Sequence, residues 1–190
     1  MKVLIIDNHD SFTYNLVSLI ENTGLCEVYV IKNEKKNFKF INDYDKYVFS
    51  PGPGIPSEEE GLMKYILKNY ESSKSILGVC LGHQAIAEYY GARIINLSAV
   101  FHGIKAEINI TDSSEYLFSG LPQSINGGLY HSWGVSENEL PECLNITAQK
   151  ENGIIMAVSH KKYDVKGLQF HPESIMTEMG SAIITNWLKR

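Results

Sequence analysis

Ile76-Leu77-Gly78-Val79-Cys80-Leu81-Gly82-His83-Gln84 is the stretch whose reading decides the fold. Ser75 to Val79 is an apolar, strand-like run; after Cys80 the spacing becomes helical through Tyr90, and Gly91 ends it. A strand that runs straight into a helix around one polar residue has the form of a nucleophile elbow, here with cysteine in place of serine. Gly78 and Gly82, two residues either side, permit a tight turn that larger side chains would block. The sulfur would then sit at a helix N-terminus, where the dipole and free N–H groups favour thiolate over thiol. The N–H of Leu81 is positioned to stabilise an oxyanion. An isolated cysteine is more often a small buried apolar residue, but the glycines, the strand-to-helix change and Gln84 one turn on weigh for chemistry. Cys26 and Cys143 have no such setting and read as packing residues.

Upstream, strand and helix alternate. Lys2 to Asp7 is a near-continuous apolar run, as in a strand buried on both faces. Asp10 or Ser11 can cap a helix whose Phe12, Leu16, Leu19 and Ile20 share a face and which Gly24 stops. Glu27 to Ile31 and Lys46 to Ser50 read as strands, and the loop SPGPGIPSEEE leads into a helix over Glu59 to Asn69. Strands joined by helices imply parallel pairing, with the sheet covered on both faces. Downstream the pattern changes to short, turn-bounded segments: Arg93–Leu97, Lys105–Ile110, Gly128–Val135, Leu144–Gln149, Ile154–Ser159 and Lys166–Phe170. These are expected to add antiparallel strands to the parallel core, before a last helix over Glu178 to Lys189. The expected architecture is one α/β domain over residues 1–190, an open mixed sheet with a parallel core and helices on both faces.

Composition narrows the function classes. With 44% hydrophobic and 21% charged residues the chain is an ordinary globular one. Its net charge of −5, with scattered basic residues, disfavours nucleic acid as a partner, which needs a basic stripe. No apolar run approaches the ~20 residues of a membrane span, and MKVLIIDNHD reads as a first strand rather than a signal peptide. The 3 cysteines, widely spaced and without a CxxC pair, indicate neither a disulfide framework nor a zinc site, so a cytoplasmic setting is expected.

Among 6 histidines, His171 stands apart because it ends a strand and opens His171-Pro172-Glu173. Proline disfavours the α conformation in the residue before it, so His171 is expected to be extended. Residues two apart in an extended segment share a face, which puts the Glu173 carboxylate beside the imidazole. The carboxylate can then orient one ring nitrogen and leave the other for the sulfur. A capping glutamate beside a surface histidine would account for these residues equally well. His83 could contact substrate, though packing beneath the turn suits it better, and His131 reads as a core or rim residue of a strand. His9, His102 and His160 have no chemical partner in sequence, and no spacing suggests a metal site.

Ser50-Pro51-Gly52-Pro53-Gly54 follows a strand as phosphate loops do, but Pro51, Pro53 and Pro56 supply no N–H, and GK[ST] and GxGxxG are both missing. Gly52 keeps its N–H. At the carboxyl end of its strand it would lie on the same sheet edge as Cys80, which suits a second oxyanion donor; the alternative is a stiff turn with no chemistry.

SPGPG, GVCLGHQ and FHPES, in that order and spacing, resemble the class I (triad-type) glutamine amidotransferases, a flavodoxin-like family, over essentially the whole chain. Asp7-Asn8-His9-Asp10-Ser11-Phe12-Thr13-Tyr14-Asn15, His102-Gly103, Tyr130-His131-Ser132 and Thr177 with Gly180 further resemble the small subunits shared by anthranilate synthase and aminodeoxychorismate (para-aminobenzoate) synthase. The resemblance implies a triad of Cys80, His171 and Glu173 hydrolysing L-glutamine through a thioester, with the oxyanion on the amides of Leu81 and Gly52. It also implies that Gln84 and the backbone around Ser132 and Trp133 hold the substrate's α-amino and carboxylate groups. Ammonia would pass to a chorismate-binding partner subunit of tryptophan or folate biosynthesis, with no cofactor in this chain. Three positions depart from the family pattern: Ile104 where lysine is usual, Leu129 where arginine is frequent, and Trp133 in place of leucine. A free-standing γ-glutamyl hydrolase on the same scaffold is the alternative activity, and a non-catalytic module that has kept the fold is a third reading.

Overall fold

In the computed structural model, residues 1–34, 38–39, 41–56 and 61–190 are described. The first strand, β1 (Lys2–Asp7), owes its apolar run to double-sided burial: Val3 and Ile5 enter one core, Leu4 and Ile6 the other. It is followed by α1 (Thr13–Glu21), β2 (Glu27–Lys32), β3 (Lys46–Phe49), α2 (Leu62–Tyr70), β4 (Ser75–Val79) and α3 (Leu81–Tyr89). Then come β5 (Ile94–Asn96), β6 (Ile104–Ile110), a single 3-10 turn at Tyr116–Phe118, β7 (Ser124–Leu129), β8 (Trp133–Val135), β9 (Leu144–Gln149), β10 (Ile155–His160), β11 (Val165–Leu168) and α4 (Gly180–Lys189). Among the described residues no helix is long and apolar enough to cross a membrane.

Nine strands form one sheet in the order β2-β1-β3-β4-β11-β10-β9-β6-β7. The first five are parallel, and β10, β9, β6 and β7 continue antiparallel, so the expected mixed sheet is present. Leu16 and Ile20 of α1 and Ile183, Ile184 and Trp187 of α4 pack on one face; α2 and Ile86 of α3 pack on the other.

Three expectations are corrected. The segment after Lys166 was expected to be antiparallel, but β11 pairs in parallel with β4 and only its other edge is antiparallel, to β10. The expected strand Gly128–Val135 is two strands, and β8 leaves the main sheet to pair with β5 in a separate ribbon. β7 runs through Gly127 and Gly128, where the sheet curls back onto the segment after β11. A Cβ on Gly127 would lie 3.1 Å from Phe170 Cβ, and one on Gly128 2.6 Å from Ser174 Oγ. Finally, α1 starts at Thr13 without a side-chain cap, because Asp10 Oδ1 instead accepts from the Phe12 N–H, 2.7 Å away. Of the expected helix Glu59–Asn69, Glu59 and Glu60 lie outside the described residues.

The four loops that carry chemistry leave the carboxyl ends of β1, β3, β4 and β11, on one edge of the parallel sheet, where open α/β sheets form their clefts.

Candidate active site

Cys80 has φ 53° and ψ −104°, a conformation that costs a non-glycine residue ~1–3 kcal/mol and persists only when its surroundings impose it. The surroundings are tight. A Cβ on Gly78 would meet the Gly82 carbonyl oxygen at 2.3 Å, and one on Gly82 would meet the Phe49 carbonyl oxygen at 2.4 Å. The helix can therefore start against the sheet only where both residues lack side chains. Cys80 N–H donates to the Leu168 carbonyl (2.8 Å) and its own carbonyl accepts from Gln84 N–H (3.0 Å), so the residue ends a strand and begins a helix at once. Leu81 is the first residue of α3, and its N–H has no acceptor within the helix.

Gly52 is held against this corner by an amide network. Asn8 N–H donates to Ser50 Oγ (2.9 Å), Asn8 Nδ2 to the Ser50 carbonyl (2.8 Å), and Asn33 Nδ2 to Asn8 Oδ1 (2.8 Å). Asn33 Oδ1 accepts from Leu62 N–H at the start of α2, so the loops after β1, β2 and β3 are tied together. Only a glycine fits at 52, because a Cβ there would lie 2.7 Å from Asn8 Cβ and 2.5 Å from Leu81 Cδ2.

His171 Nδ1 and Glu173 Oε1 are 2.6 Å apart, with side chains 2% and 0% exposed. The pairing is as expected but its cause is different. The strand has ended at Leu168, and His171 to Ser174 is a turn closed by Ser174 N–H to the His171 carbonyl (3.1 Å). Pro172 takes the second turn position, which its ring pre-sets. His171 N–H also donates to the Gly128 carbonyl (3.0 Å), which anchors the turn on β7. Burial opposes a charge on His171, but the Cys80 side chain and Glu173 outweigh it and hold the imidazole well above its usual range. Phe12 and Tyr130 pack edge-on to the imidazole, at centroid distances of 5.4 and 4.9 Å.

Gly52, Cys80, Gln84, Ser132 and Trp133 line one cleft with Pro53, Gly54, Tyr130 and His131. At about 200 Å³ it falls below the ~300–1,000 Å³ of pockets for drug-sized ligands and suits a single amino acid. Leu97 N–H donates to the Ser132 carbonyl (2.8 Å), so Trp133 opposite Asn96 is a non-hydrogen-bonded pair whose amide and carbonyl point away from β5. The Trp133 carbonyl accepts from Gln84 Nε2 (2.9 Å) and faces His131 Nδ1 at 2.8 Å. A carbonyl only accepts, so His131 carries its proton on Nδ1, and its Nε2 is a buried acceptor without a hydrogen-bond partner among the described residues. Burial keeps this ring neutral, with its pKa lowered to about 4.

The structure thus brings together Cys80, His171, Glu173, Gly52, Leu81, Gln84, Ser132 and Trp133. His83 stays out: it is fully buried, with its ring on Gly167, and is a packing residue beneath the turn. Four contributors were missed in sequence. Phe12 and Tyr130 flank His171, His131 lines the cleft where β7 gives way to β8, and Gln169 reaches the sulfur. Gln169 left one signal, a lone amide between Leu168 and Phe170 in an apolar run, where burial demands a partner. Of the departures, Ile104 and Leu129 are direct cross-strand partners, so the two changes share one site; Trp133 contributes through its carbonyl, which any side chain leaves in place.

An α/β sheet with a cysteine elbow and a histidine–carboxylate pair on its carboxyl edge defines a thiol-dependent acyl-transfer site. The chain belongs to the family described as glutamine amidotransferase class-I, whose profile it matches over residues 4–190. A relative from Haemophilus influenzae, provisionally named anthranilate synthase component II, is 45% identical over 99% of this chain and 96% of its own length. Aminodeoxychorismate synthase component 2 of Klebsiella aerogenes is 40% identical over 99% of this chain and 100% of its own. Among solved structures, one from Thermoplasma acidophilum, provisionally named as a GMP synthase component, superposes with a TM-score of 0.88 at 24% identity, covering 100% of this chain and 92% of its own, which speaks to the fold.

Proposed function

We propose that this chain hydrolyses L-glutamine at Cys80 and delivers the ammonia to a chorismate-using synthase subunit that makes anthranilate or 4-amino-4-deoxychorismate. The observation that carries the reading is the buried His171–Glu173 pair beside a cysteine in elbow geometry. The Cys80 thiolate attacks the side-chain amide carbon, and the C=O electron pair moves to the oxygen, facing the amides of Leu81 and Gly52. As the C–N bond breaks, His171 gives its proton to the nitrogen and ammonia leaves a γ-glutamyl thioester. His171 then takes a proton from water, whose oxygen attacks the thioester and releases glutamate and the thiolate. Glu173 keeps the imidazole oriented through both steps. Gln84, the outward Trp133 amide and the neutral His131 suit the α-amino and carboxylate groups.

The names of the relatives support the component II role. The triad turn supports a docking chain, because it presents Ile175, 97% exposed, next to Ser174, while Val100 and Ile104 are exposed on the segment bonded to His131 and Leu129. The test supplies each chorismate enzyme with this chain and glutamine, or with free ammonia. Cys80→Ala should abolish glutamine-dependent synthesis and leave ammonia-dependent synthesis intact. Glutamine hydrolysis indifferent to either partner would instead make the chain a free-standing hydrolase.

A further inference from the structure

Gln169 is fully buried between β11 and the triad turn, and its backbone N–H is tied to the Met156 carbonyl at 2.8 Å. Its side-chain Nε2 lies 3.7 Å from Cys80 Sγ, and its Oε1 lies 3.1 Å from Gln84 Nε2. Which end of an amide is nitrogen has to be read from its partners, and here the partners decide it. The Trp133 carbonyl can only accept, so the end of Gln84 that faces it, 2.9 Å away, is the NH₂. The same NH₂ faces Gln169, which must present its oxygen there, and this leaves the Gln169 NH₂ for the sulfur. The polarity of the whole chain of bonds, from Trp133 through Gln84 and Gln169, is therefore set by one backbone carbonyl and ends in a donor aimed at Cys80.

We infer that Gln169 is a further catalytic residue, whose amide N–H stabilises the Cys80 thiolate and is held in that orientation by Gln84 and the Trp133 carbonyl. This rests on the reading of Cys80 as nucleophile. The amide is uncharged, so the anion keeps this partner when the imidazole has given up its proton. A hydrogen bond to a charged acceptor is worth enough to change the thiolate population by about ten- to a hundred-fold. It also gives Gln84 a second task, because its amide orients Gln169 before any substrate arrives.

The experiment follows alkylation of Cys80 by iodoacetamide against pH, without glutamine, in the intact chain, reading Cys80 alone by peptide mass mapping. Gln169→Met keeps the volume and removes the donor. Alkylation at pH 7 is expected to slow by about ten- to a hundred-fold and to recover the wild-type rate as the pH rises. Gln169→Glu puts a carboxylate oxygen against the sulfur and should slow it further; Gln84→Met frees the Gln169 amide and should slow it less. An unchanged rate in folded Gln169→Met overturns the inference, and so does a loss that alkaline pH does not restore, since that is steric. If Gln169→Met does not fold, the other two variants decide by the same criteria. Alkylation needs no glutaminase activity, so failure here and failure of Cys80→Ala in the synthase assay are distinguishable.

Discussion

Replacing Glu173 by Gln isolates the charge on the residue that, on the proposed mechanism, orients His171. The amide is isosteric with the carboxylate, and its oxygen can still accept from His171 Nδ1, 2.6 Å away, so geometry is largely kept. What is lost is the anion beside an imidazole that must carry a proton when ammonia leaves. A hydrogen bond between charged groups contributes ~1.5–3 kcal/mol. Two unit charges about 4 Å apart at an effective dielectric of about 20 set a ceiling near 4 kcal/mol. At 1.36 kcal/mol per decade, the expected loss in kcat/KM for glutamine is about 10- to 150-fold, and about a thousand-fold at most. A second cost acts in the same direction: Glu173 Oε2 is buried without a hydrogen-bond partner among the described residues, so an NH₂ placed there would be unsatisfied too. The assay is glutamate release with the synthase partner at saturation, beside ammonia-dependent synthesis by the same complex. A loss below about three-fold, or an equal loss with ammonia, would refute the orienting role.

If Gly52 is the proposed second oxyanion donor, Gly52→Ala should lower glutamine-dependent kcat by about a hundred- to a thousand-fold, because the new Cβ lies 3.0 Å from the Asn8 carbonyl oxygen and pushes the loop off Leu81; ammonia-dependent turnover by the complex, the parallel measurement, should not change. Asp7 is buried, and although burial raises its pKa, Lys32, Thr13 and the Asp10 backbone outweigh this and hold it below its ordinary 3.8. A lowered folded pKa contributes stability that is present above pH 3.8 and lost as the pH falls through the folded value. Asp7→Asn should therefore lower Tm at pH 7, by the equivalent of about 1–3 kcal/mol, with the gap to wild type closing below pH 3.8, as thermal unfolding across pH will show.

The elbow was legible because its requirements are local. A strand, one residue at positive φ and a helix leave a mark of apolar run, glycine, cysteine, glycine and helical spacing within nine positions, Ile76 to Gln84. Gly52 was legible for a similar reason, since a glycine among prolines after a strand has few uses. Strand alternation predicts Glu173 beside His171, but the pair is made by a proline turn anchored on Gly128. Gln169 is not legible, because its side-chain partners Gln84 and Cys80 are 85 and 89 positions away in the chain and no local period links them.

Strand runs, helix faces, the elbow around Cys80 and the His171-Pro172-Glu173 run therefore marked a mixed α/β sheet and the residues proposed as nucleophile and base from sequence alone, because each depends on neighbours within a turn or a strand. Tertiary structure alone decided that the far edge of the sheet curls back, so that β7 meets His171 through Gly128 and breaks at Tyr130 to form the cleft wall. It alone also decided the polarity of the amides around the sulfur. The physical reason is common to both: strand curvature and hydrogen-bond direction are set by which distant groups close the accounting of buried donors and acceptors, and that is known only once the chain has folded.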